Sequence, residues 1–454
     1  MAAPTFRDSL VALGLGASVL CALGAASTGC ESDTDLSGTL DAGDAGPEVD
    51  AGPQITVTTT APATSSTPPA KASATWAAYR LDDGDWHAVA PAAEGTYSFP
   101  FGVARWALAL VCASPDDSLV TVFVHHRTND TPNLEVALDD PCTPAPPPAE
   151  YAFTGTLTNI AATTQWLDFG YAHTSRGEAI PVNGTTGTYE IVGIEPGTWD
   201  LSFAVRDDAF RPLTRFVIKR GVSVTSDATL DVDLAGPGSF GPGTRPLVLH
   251  ALETGDTVTP VVFYAAGGPF GIDVGPQDVP DGKPDVALAY ATVPASAQVA
   301  SDRYRGELKA EQDRRTGSRM ITFDFHEALD LDLTFMPDPT VPVVAITATA
   351  PYVRFSTRFG VASDIQLHEV AVVAARNRRT QVAWRSTYDA RSVGSATEVE
   401  DVTPDLSAVP GWKVEWGLPV GLTTSVLVTA SETPKALGDG KVQRSASKGR
   451  EITP

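Results

Sequence analysis

Along most of this chain apolar residues alternate with polar ones, in short runs cut off by Gly, Pro, Asn and Asp. A period of two is the signature of a strand with one face buried, because successive side chains leave opposite faces of the backbone. Arg105 to Cys112 shows it most clearly: Trp106, Leu108, Leu110 and Cys112 share one parity. Before it, Trp76 to Leu81 and Trp86 to Val89 flank Asp82-Asp83-Gly84, a hairpin signal. Leu134, Val136 and Leu138 continue the pattern towards Cys142. Further strands are predicted at Leu247 to Leu252, Val258 to Ala265, Val286 to Val293, Ile321 to Phe325 and Leu329 to Phe335. Val343 to Thr349, Val353 to Phe359, Ile365 to Ala374, Gln381 to Arg385 and Thr424 to Thr429 complete the distal set. These make about ten strands, enough for two sandwiches or one large two-sheet domain, with a break expected near Asp338-Pro-Thr-Val-Pro342.

The predicted fold is therefore all-β, as tandem antiparallel sandwiches of immunoglobulin-like or transthyretin-like kind. The expected division is 75–145, 150–235 and a distal region 243–433, with 434–454 a disordered polar tail. Two stretches near the start depart from the strand pattern. Ser9 to Leu23 is apolar but rich in Gly and Ala, and shorter than the ~20 residues that span a bilayer. Residues 31–53 carry seven carboxylates and no Lys or Arg, and Thr56 to Ser73 is rich in Thr, Ser, Pro and Ala. Such segments bury too little apolar surface to offset their ordering entropy, so 30–74 reads as a disordered tether.

Residues 1–29 have the form of an export signal. Ser27-Thr28-Gly29-Cys30 resembles the cleavage box of bacterial lipoproteins, with Ser27 where the family usually has Leu. The resemblance implies lipid attachment at Cys30, an envelope location with the membrane as a partner, and, from Glu31 rather than Asp after the Cys, the outer membrane. Ordinary cleavage after Ala26 is the alternative. Of the four cysteines Cys21 leaves with the signal, so acylation of Cys30 leaves the even pair Cys112 and Cys142. Both sit just past a strand on the side facing the core, and a disulfide between them is expected.

Thr188-Tyr-Glu-Ile-Val-Gly-Ile-Glu-Pro-Gly-Thr-Trp-Asp-Leu201 resembles the strand–turn–strand of carboxypeptidase regulatory-like domains, which are transthyretin-like sandwiches. That resemblance implies an accessory interaction module with no catalytic residues.

Composition narrows the function. A net charge of −23 excludes nucleic acid as a partner, because phosphate binding needs a basic face. Asp278, Asp281 and Asp285 cluster about a Gly and are candidate calcium ligands; a solvated acidic turn is the competing reading. Trp412, Val414 and Trp416 fit one strand face, either as a sugar-stacking platform or as core. His125 and His126 are adjacent on a strand and so point to opposite faces, which is poor geometry for one metal ion. The chain contains no Gly-x-Ser-x-Gly, His-Glu-x-x-His, phosphate-binding Gly-Lys-Ser/Thr or Cys-x-x-Cys motif. The leading expectation is a non-catalytic surface lipoprotein for adhesion, scaffolding or envelope interaction with a protein or polysaccharide, with no cofactor beyond the calcium alternative. A carbohydrate- or small-ligand-binding lipoprotein is the rival, and a divergent hydrolase the third reading.

Overall fold

The computed structural model describes residues 53–454 except 62–69, 102–103, 131, 139–141, 143–149, 172–173, 209–211, 269–270, 277–282, 314–316, 363 and 378–379. Nearly all regular structure is β, in several mostly antiparallel sheets. All ten distal runs expected from alternation form strands, with ends moved by a few residues.

The largest sheet has 13 strands among the described residues and draws on both ends of the chain. Thr257–Ala265, Arg303–Asp313, Gly317–Phe325, Gly440–Ile452, Thr424–Glu432, Ile365–Asn377 and Thr380–Asp389 run side by side, each antiparallel to the next. Leu119–Thr128 then joins Thr380–Asp389 in parallel, from Leu119 opposite Gln381 to His126 opposite Tyr388. Arg105–Ala113 and Trp76–Leu81 continue the sheet beyond that seam. The seam corrects the expectation of a separate first domain at 75–145. Its strands are central members of a sheet that also contains the distal region.

The sheet is covered locally. A three-stranded sheet (Val343–Ala348, Arg354–Gly360, Glu398–Val402) lies over one face. There Phe355 and Phe359 pack on Val370, Val372, Trp384 and Tyr388. The same face, further along, packs Leu308, Ile321, Phe323 and Phe325 against Leu247, Leu249, Leu331 and Leu333 of another three-stranded sheet. The opposite face beside the seam packs Trp106, Leu108, Leu110 and Phe123 against Ile55, Val57, Tyr97 and Phe99.

That last contact corrects the tether. Thr56 to Ser73 was expected to be disordered, yet Gln54–Ala61 is a strand, antiparallel to Thr96–Pro100 and parallel to Asn133–Ala137. Its alternate residues Ile55 and Val57 are fully buried, and its β-branched threonines favour the extended backbone. The C-terminal segment is corrected too. Instead of a disordered tail, Gly440–Ile452 is a 13-residue strand paired on both sides in the middle of the sheet. Gly449 allows the close approach there, since a Cβ at this position would lie 2.2 Å from the Val426 carbonyl oxygen.

Residues 151–240 form two sheets packed face to face around Phe153, Leu157, Leu167, Phe169, Leu201 and Phe203. The Glu195-Pro-Gly corner does not close a hairpin. Thr186–Ile194 pairs with Tyr151–Thr158 in one sheet, and Gly197–Arg206 pairs in the other. Gly197 has φ of 151°, and the Trp199 ring folds back over it, its Nε1 donating to the Glu195 carbonyl at 2.9 Å. The outer side of the second sheet is buried as well: Phe216 meets Tyr264 edge-on with ring centroids 6.2 Å apart. Arg220 donates to Asp302 at 2.7 Å across the same junction.

Candidate functional site

At the end of the long sheet where the parallel seam begins lies a cleft of about 490 Å³. Segments far apart in sequence build it. Asp116 and Asp117 come from the turn between Arg105–Ala113 and Leu119–Thr128; Gln381 and Val382 open the next strand, and Ala374 lies near the end of its neighbour. Pro351 and Tyr352 and the loop Val414 to Val420 supply the remaining wall.

A cluster of aromatic rings holds this loop in place. Trp412 lies 5.4 Å from Trp76, 5.5 Å from Trp416, 5.7 Å from Tyr352 and 5.8 Å from Trp384. Their polar edges tie the loop down: Trp76 Nε1 donates to the Pro410 carbonyl at 3.0 Å, and Trp384 Nε1 to the Trp416 carbonyl at 3.2 Å. The Tyr352 hydroxyl donates to the Pro404 carbonyl at 2.8 Å and accepts from the Leu406 amide at 2.7 Å. The strand expected to carry Trp412 and Trp416 is not formed; a single 3₁₀ turn, Val414–Trp416, stands in its place. Trp416 is only 2% exposed and belongs to the core, and Trp412 is partly buried against the same core, so the two do not form an exposed pair of rings.

The electrostatics of the cleft rest on Asp117. Its left-handed backbone, φ 51°, turns the carboxylate towards Trp416 Nε1 at 2.9 Å and Lys413 Nζ at 2.9 Å. Those two bonds hold its pKa below the usual value. Asp116 accepts from the Ser114 hydroxyl at 2.7 Å and the Ser118 amide at 3.1 Å, which brings it down to about 2. Both carboxylates are therefore ionised at neutral pH.

The other candidates resolve differently. Cys30 lies outside the described residues, as do Asp278 and Asp281. Asp285 is described and engaged: it bonds His250 Nδ1 at 2.8 Å while Asp332 bonds Nε2 at 2.9 Å. The hydrogen bond His250 donates to the Asp285 carboxylate is the main cause of its raised pKa. Among the described residues no group of three His, Cys, Asp or Glu side chains is placed to hold a metal ion. Cys112 and Cys142 form the expected disulfide, with Cα atoms 4.6 Å apart.

His125 and His126 lie next to each other within the strand Leu119–Thr128 and so point to opposite faces. His125 Nδ1 lies 2.8 Å from the Thr387 hydroxyl. His126 stacks on Tyr388 at 4.4 Å, and Tyr388 donates to the buried Asp401 at 2.6 Å. His368 sits opposite Tyr388 on the next strand. This polar row is enclosed: Tyr388, His368 and Asp401 are each at most 8% exposed. Burial keeps both histidines neutral, at about 3 for His126 and about 4 for His368.

Sequence reasoning missed the cleft. Ser114-Pro-Asp-Asp-Ser118 reads as an ordinary turn, and nothing in Pro351-Tyr352 or Gln381 marks them. Only the seam brings them together.

No protein-family model matches the chain, and no curated protein matches it.

Proposed function

We propose that this protein is an exported envelope lipoprotein, attached through Cys30, whose β-structured body has a non-catalytic adhesive or scaffolding role. The observation that carries this reading is the placement of Gln54–Ala61. The acidic stretch 31–53 leads directly into a strand paired on both flanks and buried against the disulfide-bearing sheet. A pull along the axis of that strand loads the flanking ladders in shear, all bonds together, instead of peeling them one at a time. Such an attachment suits a body held by its N-terminal segment. The two packed sheets of 151–240 and their Glu195–Gly197 corner support reading that unit as a carboxypeptidase regulatory-like module for contact with an envelope partner.

The test is metabolic labelling with an alkyne fatty acid in a bacterial host that processes lipoproteins, followed by detergent-phase partitioning. The full chain is expected to label and partition with detergent, and Cys30→Ser to do neither. Recovery of an unlabelled, aqueous protein beginning at Ser27 would refute the anchor.

A second reading, ligand binding by the body, is favoured by the 490 Å³ cleft, whose size is that of small-ligand sites.

A further inference from the structure

We propose that the cleft at the start of the parallel seam is a docking site for a basic, extended peptide, and takes up a Lys or Arg side chain. This names the partner for the ligand-binding reading and rests on it, but it is independent of the anchor at Cys30.

Charge points to a cation. Asp116, Asp117 and Glu415 line the cleft, and Lys413 beside them is bound to Asp117. The Glu415 and Gln381 side chains have no hydrogen bond or ion pair with any described residue. Both are therefore available to a ligand ammonium or guanidinium, or to a peptide amide. A chain at −23 also draws basic partners towards it and repels further copies of itself.

The wall points to an aliphatic stem. Val414 and Val420 are 50% and 57% exposed, large values for apolar side chains, and they adjoin Pro351, Leu418 and Val382. Lys and Arg lay their methylenes along surfaces of this kind and keep the charged head in a polar rim. A sugar fits less well. Tyr352, the only aromatic ring in the lining among the described residues, is 2% exposed and so cannot stack on a pyranose face. A phosphate is repelled by three carboxylates.

The experiment is fluorescence anisotropy on the full chain with a labelled peptide of alternating Lys and Val. A Glu-for-Lys counterpart and a neutral chito-oligosaccharide serve as competitors. Saturable binding of the Lys peptide is expected, weakening as salt is raised, with neither competitor displacing it. Glu415→Lys reverses a charge at the rim and Val420→Arg fills the cleft, and each is expected to weaken binding about tenfold or more. Both residues are exposed, so far-UV circular dichroism should be unchanged. Binding to the unaltered protein should also shift Trp416 fluorescence, because its indole shares Asp117 with the site. Equal binding of the Glu peptide, affinity unchanged in both variants, or displacement by the oligosaccharide would each overturn the proposal.

Discussion

Asp117 does two jobs with one carboxylate: it satisfies the buried Trp416 indole and pins Lys413. Removing it by Asp117→Ala leaves a buried donor without a partner and puts a Cβ-bearing apolar residue at φ 51°. The expected loss is about 1–3 kcal/mol in urea titration. Asp117→Asn keeps an acceptor and tolerates the left-handed backbone, so it should lose less. At His368 both ring nitrogens are buried without a hydrogen-bond partner among the described residues, and the Phe359 ring lies 5.4 Å away. Its folded pKa, about 4, is below the ordinary 6.5, so the unfolded chain binds the proton first. Stability from this group is complete above pH 6.5 and declines as pH falls towards 4. His368→Phe is expected to flatten that decline, by at most about 3 kcal/mol, with no loss at neutral pH. A decline as steep in the variant as in the parent would show that His368 does not carry it. Neither residue was legible in the sequence. Asp117 looks like any turn aspartate and His368 like a strand residue, because their meaning depends on which strands become neighbours.

At the scale of elements, alternation identified the strands that have one dry face and one wet face. It failed where that contrast is weak. Gly440–Ile452 is Gly-, Ser- and Lys-rich, yet it is central, because the small residues Ala446 and Gly449 let neighbouring strands approach. Arg303–Asp313 carries so many charges that it reads as a polar segment, and Gln54–Ala61 lies in a Thr-rich run that resembles linker. Each is stabilised by ladder hydrogen bonds on two sides, which composition does not reveal. Truncation after Thr433 separates these accounts. A tail would be lost without consequence, whereas removing a central strand should abolish cooperative unfolding in circular dichroism. The disulfide was legible because parity and spacing set both cysteines towards the core. Reduction, or Cys112→Ala with Cys142→Ala, is expected to cost about 3–4 kcal/mol for a loop of about 30 residues. Non-reduced tryptic digests should contain the linked peptide pair, and separately alkylated cysteines would contradict the bond.

At the scale of the molecule, a chain expected to be beads on a string is joined by one sheet. Leu119–Thr128 against Thr380–Asp389 unites segments more than 250 residues apart in sequence, and the cleft exists only at that junction. Junctions of this kind are invisible to local pattern, since each strand carries the same alternation whichever neighbour it takes. The first strand and the cleft thus belong to one body. Amide hydrogen exchange on the full chain tests that body most directly. The account predicts strong, similar protection of 120–126, 382–388 and 443–450, all lost together as denaturant is raised. Rapid exchange of 443–450, or separate loss of protection on the two sides of the seam, would contradict it.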